Sequence, residues 1–253
     1  MLLNSRFLIF FFLILIIFTF NKTYSASFSP EDSIEPYCNG IDVDEFIKDE
    51  KIEILEIQVN NNRKWSENLL KAILEFNSIK QKSEHKNWFI FRINKNYKKK
   101  FKSRLTVKFK NKNFLCNFKA KIRLTGDLLW HLGWRNGNPI SSIYVELLDG
   151  HVNSITKFKL FLPKSRYGEN EIFTSTILRE VGFLAPRTFM VKSIINGQKL
   201  NYIFQEDLRK EFLENLKLIE GPILEGDERF TIMVPDQKSA PKINLSRIVN
   251  KKF

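Results

Sequence analysis

Acidic residues are missing where a basic chain would most need them: from position 86 to 123 there are fourteen Lys or Arg and no Asp or Glu. Two cysteines exclude a disulfide-dense scaffold and a four-cysteine zinc site. Ten glycines and eight prolines in 253 residues exclude a collagen and a low-complexity chain. Beyond the first twenty residues no apolar run could cross a bilayer, which excludes a multi-span membrane protein. What remains is 43% hydrophobic and 27% charged, the makeup of one large domain or two small ones.

The formal charge is +13 and the pI near 9.6. Setting aside the fourteen cations of 86–123, with Arg6 and Lys22, leaves the rest of the chain near −3, so the positive charge is local. The 24 Phe with abundant Ile, Lys and Asn are also what an AT-rich coding sequence yields, so base composition is a competing source of some lysines.

Arg6 precedes an apolar run from Phe7 to Phe20, broken by Thr19 and followed by small or polar residues. That is the order of a secretory signal, with cleavage after Ser25. The alternative is an uncleaved anchor over residues 2–20. Either places the remainder in an exported, periplasmic or extracellular setting, where Cys38 and Cys116 could pair; a buried free thiol at Cys116 is the other reading.

Domain boundaries are expected at 1–25 (signal or anchor), 26–85 (arm, strand and helix), 86–232 (β-rich domain) and 233–253 (irregular tail). Strand 52–59 precedes a helix over 63–76 capped by Asn62, with Trp65, Leu69, Ile73 and Phe76 at helical spacing. A strand is expected at 88–93. Leu105, Val107 and Phe109, then Phe114, Cys116, Phe118, Ala120, Ile122 and Leu124, alternate with Lys, Arg and Asn across an Asn-Lys-Asn turn, which reads as a hairpin with a basic outer face. Residues 126–139 read as a long loop. A second hairpin spans 143–162 around Asp149-Gly150. A helix follows at 169–181, with Ile172, Phe173, Ile177 and Val181 facing inward and Gly182 as its stop. A third hairpin covers 187–205 around Asn196-Gly197, and a short helix covers 207–216.

The Lys157-Phe-Lys-Leu-Phe-Leu-Pro strand, the Glu171 to Arg187 stretch and the Asn-Gly hairpin ending at Gln205-Glu206 follow Arg123-Leu-Thr-Gly126 in order. This order resembles the atypical kinases related to spore-coat protein H (CotH-type), over about residues 120–228. The resemblance implies an α+β fold, antiparallel hairpins packed with a few helices as in a kinase small lobe, with the C-terminal lobe absent. It implies ATP and Mg²⁺ as cofactors, with Lys159, or Lys157 on the same strand face, on the nucleotide phosphates. Glu171 or Glu180 would hold that lysine, Gly126 would admit the phosphates to backbone N–H groups, and Glu206 would sit at the hinge. No His-Arg-Asp-like or Asp-Phe-Gly-like motif follows, although Asp227, Glu228 and Asp236 do. The expectation is therefore an incomplete or noncatalytic version, an ATP-dependent enzyme only if a missing lobe completes it.

Other chemistry is weak. His85, His131 and His151 lie far apart, and the acids Glu220, Glu225, Asp227 and Glu228 form a loose cluster that could bind a cation or the basic hairpin. The expected partners are an anionic envelope surface (lipid or polysaccharide) or nucleotide phosphates, with nucleic acid excluded because no stacking platform or groove-reading helix accompanies the charge. The second functional expectation is thus a noncatalytic β-rich envelope protein docking through its basic hairpin, with membrane contact also available through the N-terminal segment.

Overall fold

The computed structural model describes residues 52–82, 92–110, 115–226 and 246–250. The expected arm, the signal segment, the strand at 88–93 apart from its last two residues, and most of the tail lie outside those residues.

Period-two alternation becomes a barrel. Strands β1 (Ile52–Val59), β2 (Phe101–Phe109), β3 (Leu115–Leu124), β6 (Ile143–Leu147), β7 (Lys157–Phe161), β9 (Gln198–Glu206) and β8 (Thr188–Ile195) close in that order. All neighbours pair antiparallel except β1 and β8, which run parallel. The inward residues of each strand, among them Leu55, Leu105, Phe118, Ile122, Val145, Phe158 and Phe204, are fully buried and form one core. Closing the barrel removes the edges of its own seven strands, the sites at which an open sheet can aggregate.

This closure overturns the expected α+β, small-lobe-like arrangement. A kinase small lobe is an open sheet with a helix against it, whereas here a mostly-β chain wraps its sheet into a closed seven-stranded barrel. Hairpin signals report antiparallel neighbours only, and the β1–β8 seam is a parallel contact across more than 130 residues of sequence. Asn196 fastens it. At the tip of the β8–β9 hairpin, Asn196 and Gly197 both have positive φ (48° and 83°), the two-residue turn suited to twisted strands. The Asn196 N–H donates to the Ile57 carbonyl at 2.9 Å, its Oδ1 accepts from the Val59 N–H at 2.8 Å, and its Nδ2 donates to Asn62 Oδ1 at 2.9 Å.

Helix α1 (Asn62–Lys82) is longer than expected and is capped by Asn61, whose Oδ1 accepts from the Lys64 N–H at 3.0 Å, rather than by Asn62. Trp65, Leu69, Ala72 and Ile73 bury against the barrel, with Trp65 edge-on to Phe101 at 5.3 Å. The expected loop at 126–139 contains a hairpin, β4 (Leu132–Arg135) and β5 (Asn138–Ser141), turning at Asn136-Gly137.

Helix α2 (Asn170–Glu180) forms as expected but faces the other way. Ser175 is its buried residue, donating to the Pro186 carbonyl at 2.5 Å and bonded to Thr188 at 3.0 Å, while Phe173, Ile177 and Val181 are exposed. A short helix α3 (Lys210–Asn215) and the pair β10 (Leu224–Gly226) and β11 (Ser246–Ile248) enclose a small second cluster of Phe212, Leu213 and Ile223. Cys116 is disulfide-bonded, and the chain's other cysteine, Cys38, lies outside the described residues.

Candidate functional site: a basic barrel face

The β2–β3 register sets like charges opposite each other. Lys102 lies across from Lys121 and Arg104 across from Lys119, all outside a strand pair whose alternate residues fill the core. Directly opposed residues sit about 5 Å apart and alternate residues about 7 Å along a strand. Four cations therefore occupy one patch, and none forms an ion pair within 4.0 Å with a described residue. Opposed like charges weaken a ladder, so the patch is a local destabilisation that an anion would relieve.

The rows continue onto β6 and β7. Lys121 faces Glu146, which faces Lys157. Glu146 accepts from Lys100 at 2.5 Å and lies 3.9 Å from Lys157. Partial burial would raise its pKa, but Lys100, Lys157 and Lys121 outweigh that and hold it below the usual Glu value. One carboxylate is thus shared by three lysines.

The next row, Arg123–Tyr144–Lys159–Gln205, ends in a compensated cluster. Asp207, just past β9, is buried and contacts Lys159 at 3.1 Å, Arg209 at 2.7 Å and the Tyr144 hydroxyl at 3.1 Å. The Arg123 guanidinium lies over the Tyr144 ring at 4.5 Å. Burial alone would push the Asp207 carboxyl up; Lys159 and Arg209 prevail and keep it below the ordinary Asp value. Burial, then Asp207, pushes the Tyr144 phenol well above its usual value, so it stays a donor. A carboxylate saturated in this way is a poor base and a firm anchor.

The residues singled out by sequence do not assemble as the resemblance implied. Lys159 pairs with Asp207, not with a helix acid. Glu171 accepts from Gln205 at 2.7 Å and stands 4.0 Å from Arg166. Glu180 is exposed at the end of α2. Lys157 faces Glu146, and buried Glu206 holds Arg187 through paired bonds of 2.9 and 3.0 Å. Gly126, at φ 84°, is where the His131 ring packs; a Cβ there would meet the ring at 2.0 Å, which explains the glycine without a phosphate.

His131 is buried against Ser142, whose hydroxyl lies 3.1 Å from Nδ1 while accepting from the Leu162 N–H at 3.0 Å. Its pKa falls to about 4, chiefly from burial, with Arg166 adding and Asp127 opposing. His151 accepts from the Ser154 N–H at 3.0 Å, and His85 is outside the described residues. No cluster of three metal-binding side chains occurs among the described residues. Of the acidic cluster, Glu220 pairs with Lys210 at 3.3 Å, Glu225 lies in β10, and Asp227 and Glu228 are outside the described residues. No helix among the described residues is long and apolar enough to cross a membrane.

Sequence reading missed Asp207, Tyr144 and Arg209 as the centre of the compensated cluster. The available signal was parity: Tyr144 alternates with the core residues Ile143 and Val145 and so faces outward beside the basic strand. No protein-family model and no curated protein matches this chain.

Proposed function

We propose that the chain is an exported, noncatalytic β-barrel module that docks to an anionic envelope surface through the outer face of β2 and β3. The observation that carries this reading is the block of Lys102, Arg104, Lys119 and Lys121, opposed in pairs and without an ion pair to any described residue, Lys121 alone having a carboxylate, Glu146, across from it. Multivalent anions, such as phosphate headgroups or an acidic polymer, present charges at comparable spacing, and each cation near such a surface contributes about 1 kcal/mol. The N-terminal segment and the disulfide at Cys116 support an oxidising, exported setting. Co-sedimentation with phosphatidylglycerol vesicles tests it. Binding should weaken between low and physiological salt and on neutralising Lys102, Arg104, Lys119 and Lys121; binding indifferent to both would end the proposal.

A second reading, binding of nucleotide phosphates at Lys159, has one observation in its favour: Arg123 and Lys159 share a row that reaches Glu171 through Gln205. It requires no small-lobe fold. Thermal-shift titration with ATP and Mg²⁺ decides it, since absence of stabilisation, or an equal response in Lys159→Ala, removes it.

A further inference from the structure

Between the C-terminal half of α1 and the β4–β5 hairpin lies a cleft of about 340 Å³, within the size range of small-ligand sites. One wall carries Ile73 and the exposed amide of Asn77; the other carries Trp130 and Trp134, with Gly133 between them and Lys164 at the rim. The hairpin projects outside the barrel, and Trp134 near its tip is 51% exposed. Its placement follows from the chain: Asn136 and Gly137 adopt the positive φ (49° and 75°) of a tight two-residue turn, and Trp134 faces Pro139 across it.

Lys164 forms no ion pair with a described residue, and Gly133 is what lets its amine reach into the cleft. A Cβ at position 133 would lie 2.8 Å from Lys164 Nζ, so any side chain there would displace the ammonium. The floor is apolar and aromatic, the rim supplies one cation and one amide, and no described carboxylate neutralises the cation.

We propose that this cleft binds a glycan residue bearing a carboxylate, of the uronic acid type. A pyranose ring presents a C–H face that stacks on an indole and an edge of hydroxyls that needs amide partners. A single ring carboxylate matches the single unpaired ammonium. Indoles are suited to such faces because they are large, rigid and polarised. A fatty acyl chain would also bring an apolar body and an acid, but it offers nothing to Asn77 and would favour a deep, closed channel. The cleft relies on the docking reading only for an exported setting in which acidic glycans are met.

The test is titration of the full chain with trigalacturonic acid and with its fully methyl-esterified form, which keeps the rings and hydroxyls but replaces each carboxylate by a neutral methyl ester, followed by tryptophan fluorescence and ligand-observed NMR. The acid should bind saturably and about fivefold or more tighter than the ester. Lys164→Gln should abolish that preference while leaving ester binding in place, and Gly133→Ala should weaken the acid more than the ester. Trp134→Ala, at an exposed position, should weaken both about tenfold without lowering the melting temperature. Lys199→Gln, an equal loss of charge on an exposed part of β9, should change nothing. Equal binding of acid and ester, acid preference retained in Lys164→Gln, tighter binding of laurate than of the trimer, or no saturable binding would each overturn the proposal. Vesicle binding reads the β2–β3 block and the trimer reads the cleft, so either reading can fail alone.

Discussion

The barrel handles positive charge in two ways a few strands apart. Around Asp207, Glu146 and Glu206, each cation has a carboxylate, and Asp207 and Glu206 are buried with their hydrogen bonds met. On β2 and β3, four cations face one another with no ion pair to a described residue, and only Lys121 has a carboxylate, Glu146, across from it. The first arrangement is what a fold needs to hold Arg187, Arg209 and Lys159 against its surface. The second lowers fold stability, and a feature that opposes folding without helping packing points outward, to a ligand. Net charge alone hides this difference: +13 describes both regions together.

The largest effect should come from breaking the compensated region. Glu206→Gln leaves Arg187 half-buried without its carboxylate, and removing one partner of a buried pair costs about 3 to 5 kcal/mol; urea unfolding showing a loss under about 1 kcal/mol would place Glu206 outside the load of the fold. Acid should act next, through His131. The unfolded chain takes up this proton near pH 6.5 and the folded one only near 4, so stability is full above 6.5 and declines as pH falls toward 4, by about 3 kcal/mol. Asp207, whose folded pKa is lowered, adds its own loss only below the ordinary Asp value. Denaturant midpoints at pH 7, 5.5 and 4 follow His131 and a further point at pH 3 follows Asp207; a flat profile from pH 7 to 4 would deny that His131 is buried neutral.

Asp207→Asn should convert one region into the other. Lys159 and Arg209 lose their carboxylate, at about 2 kcal/mol of stability for hydrogen bonds to a charged group, while vesicle affinity rises several-fold because two cations are released. A variant that loses stability without gaining affinity would separate charge compensation from docking. The smallest effect on the fold belongs to the block itself. Lys102→Gln with Lys121→Gln should leave the melting temperature unchanged or slightly higher, since a repulsive pair is removed. Vesicle affinity should fall by about 25-fold, at about 1 kcal/mol for each lysine.

Local signals were legible and global ones were not. The β8–β9 hairpin was plain because alternation and Asn196-Gly197 agree on one turn, yet nothing local reports that Asn196 also bonds β1 and closes the barrel. The same Asn-Gly dipeptide at 136–137 went unread because its strands are only four residues long and hold Gly133 and Pro139, which weaken the strand pattern. Helix α2 was placed correctly and oriented wrongly. Periodicity identifies an apolar stripe, Phe173, Ile177 and Val181, but the contact that seats the helix is Ser175 against Pro186 and Thr188, a polar fit with no hydrophobic signature. At the site, the basic alternation of β3 was visible, whereas its significance depended on the register that sets Lys102 against Lys121 and Arg104 against Lys119. Lys159 was singled out for a helix acid; its partner proved to be Asp207, placed by the end of β9.

Location can be separated from total charge in one comparison. Two variants lose four positive charges each: one at Lys102, Arg104, Lys119 and Lys121, the other at the exposed lysines Lys64, Lys71, Lys192 and Lys199, of which the two on strands lie across from uncharged residues. Binding to phosphatidylglycerol vesicles is measured against salt concentration for both and for the unaltered chain. If the β2–β3 block is the docking surface, the first variant loses binding and its salt dependence while the second stays close to the unaltered chain. Equal losses in the two variants would mean that the chain responds to its overall charge, and the docking surface would have to be abandoned.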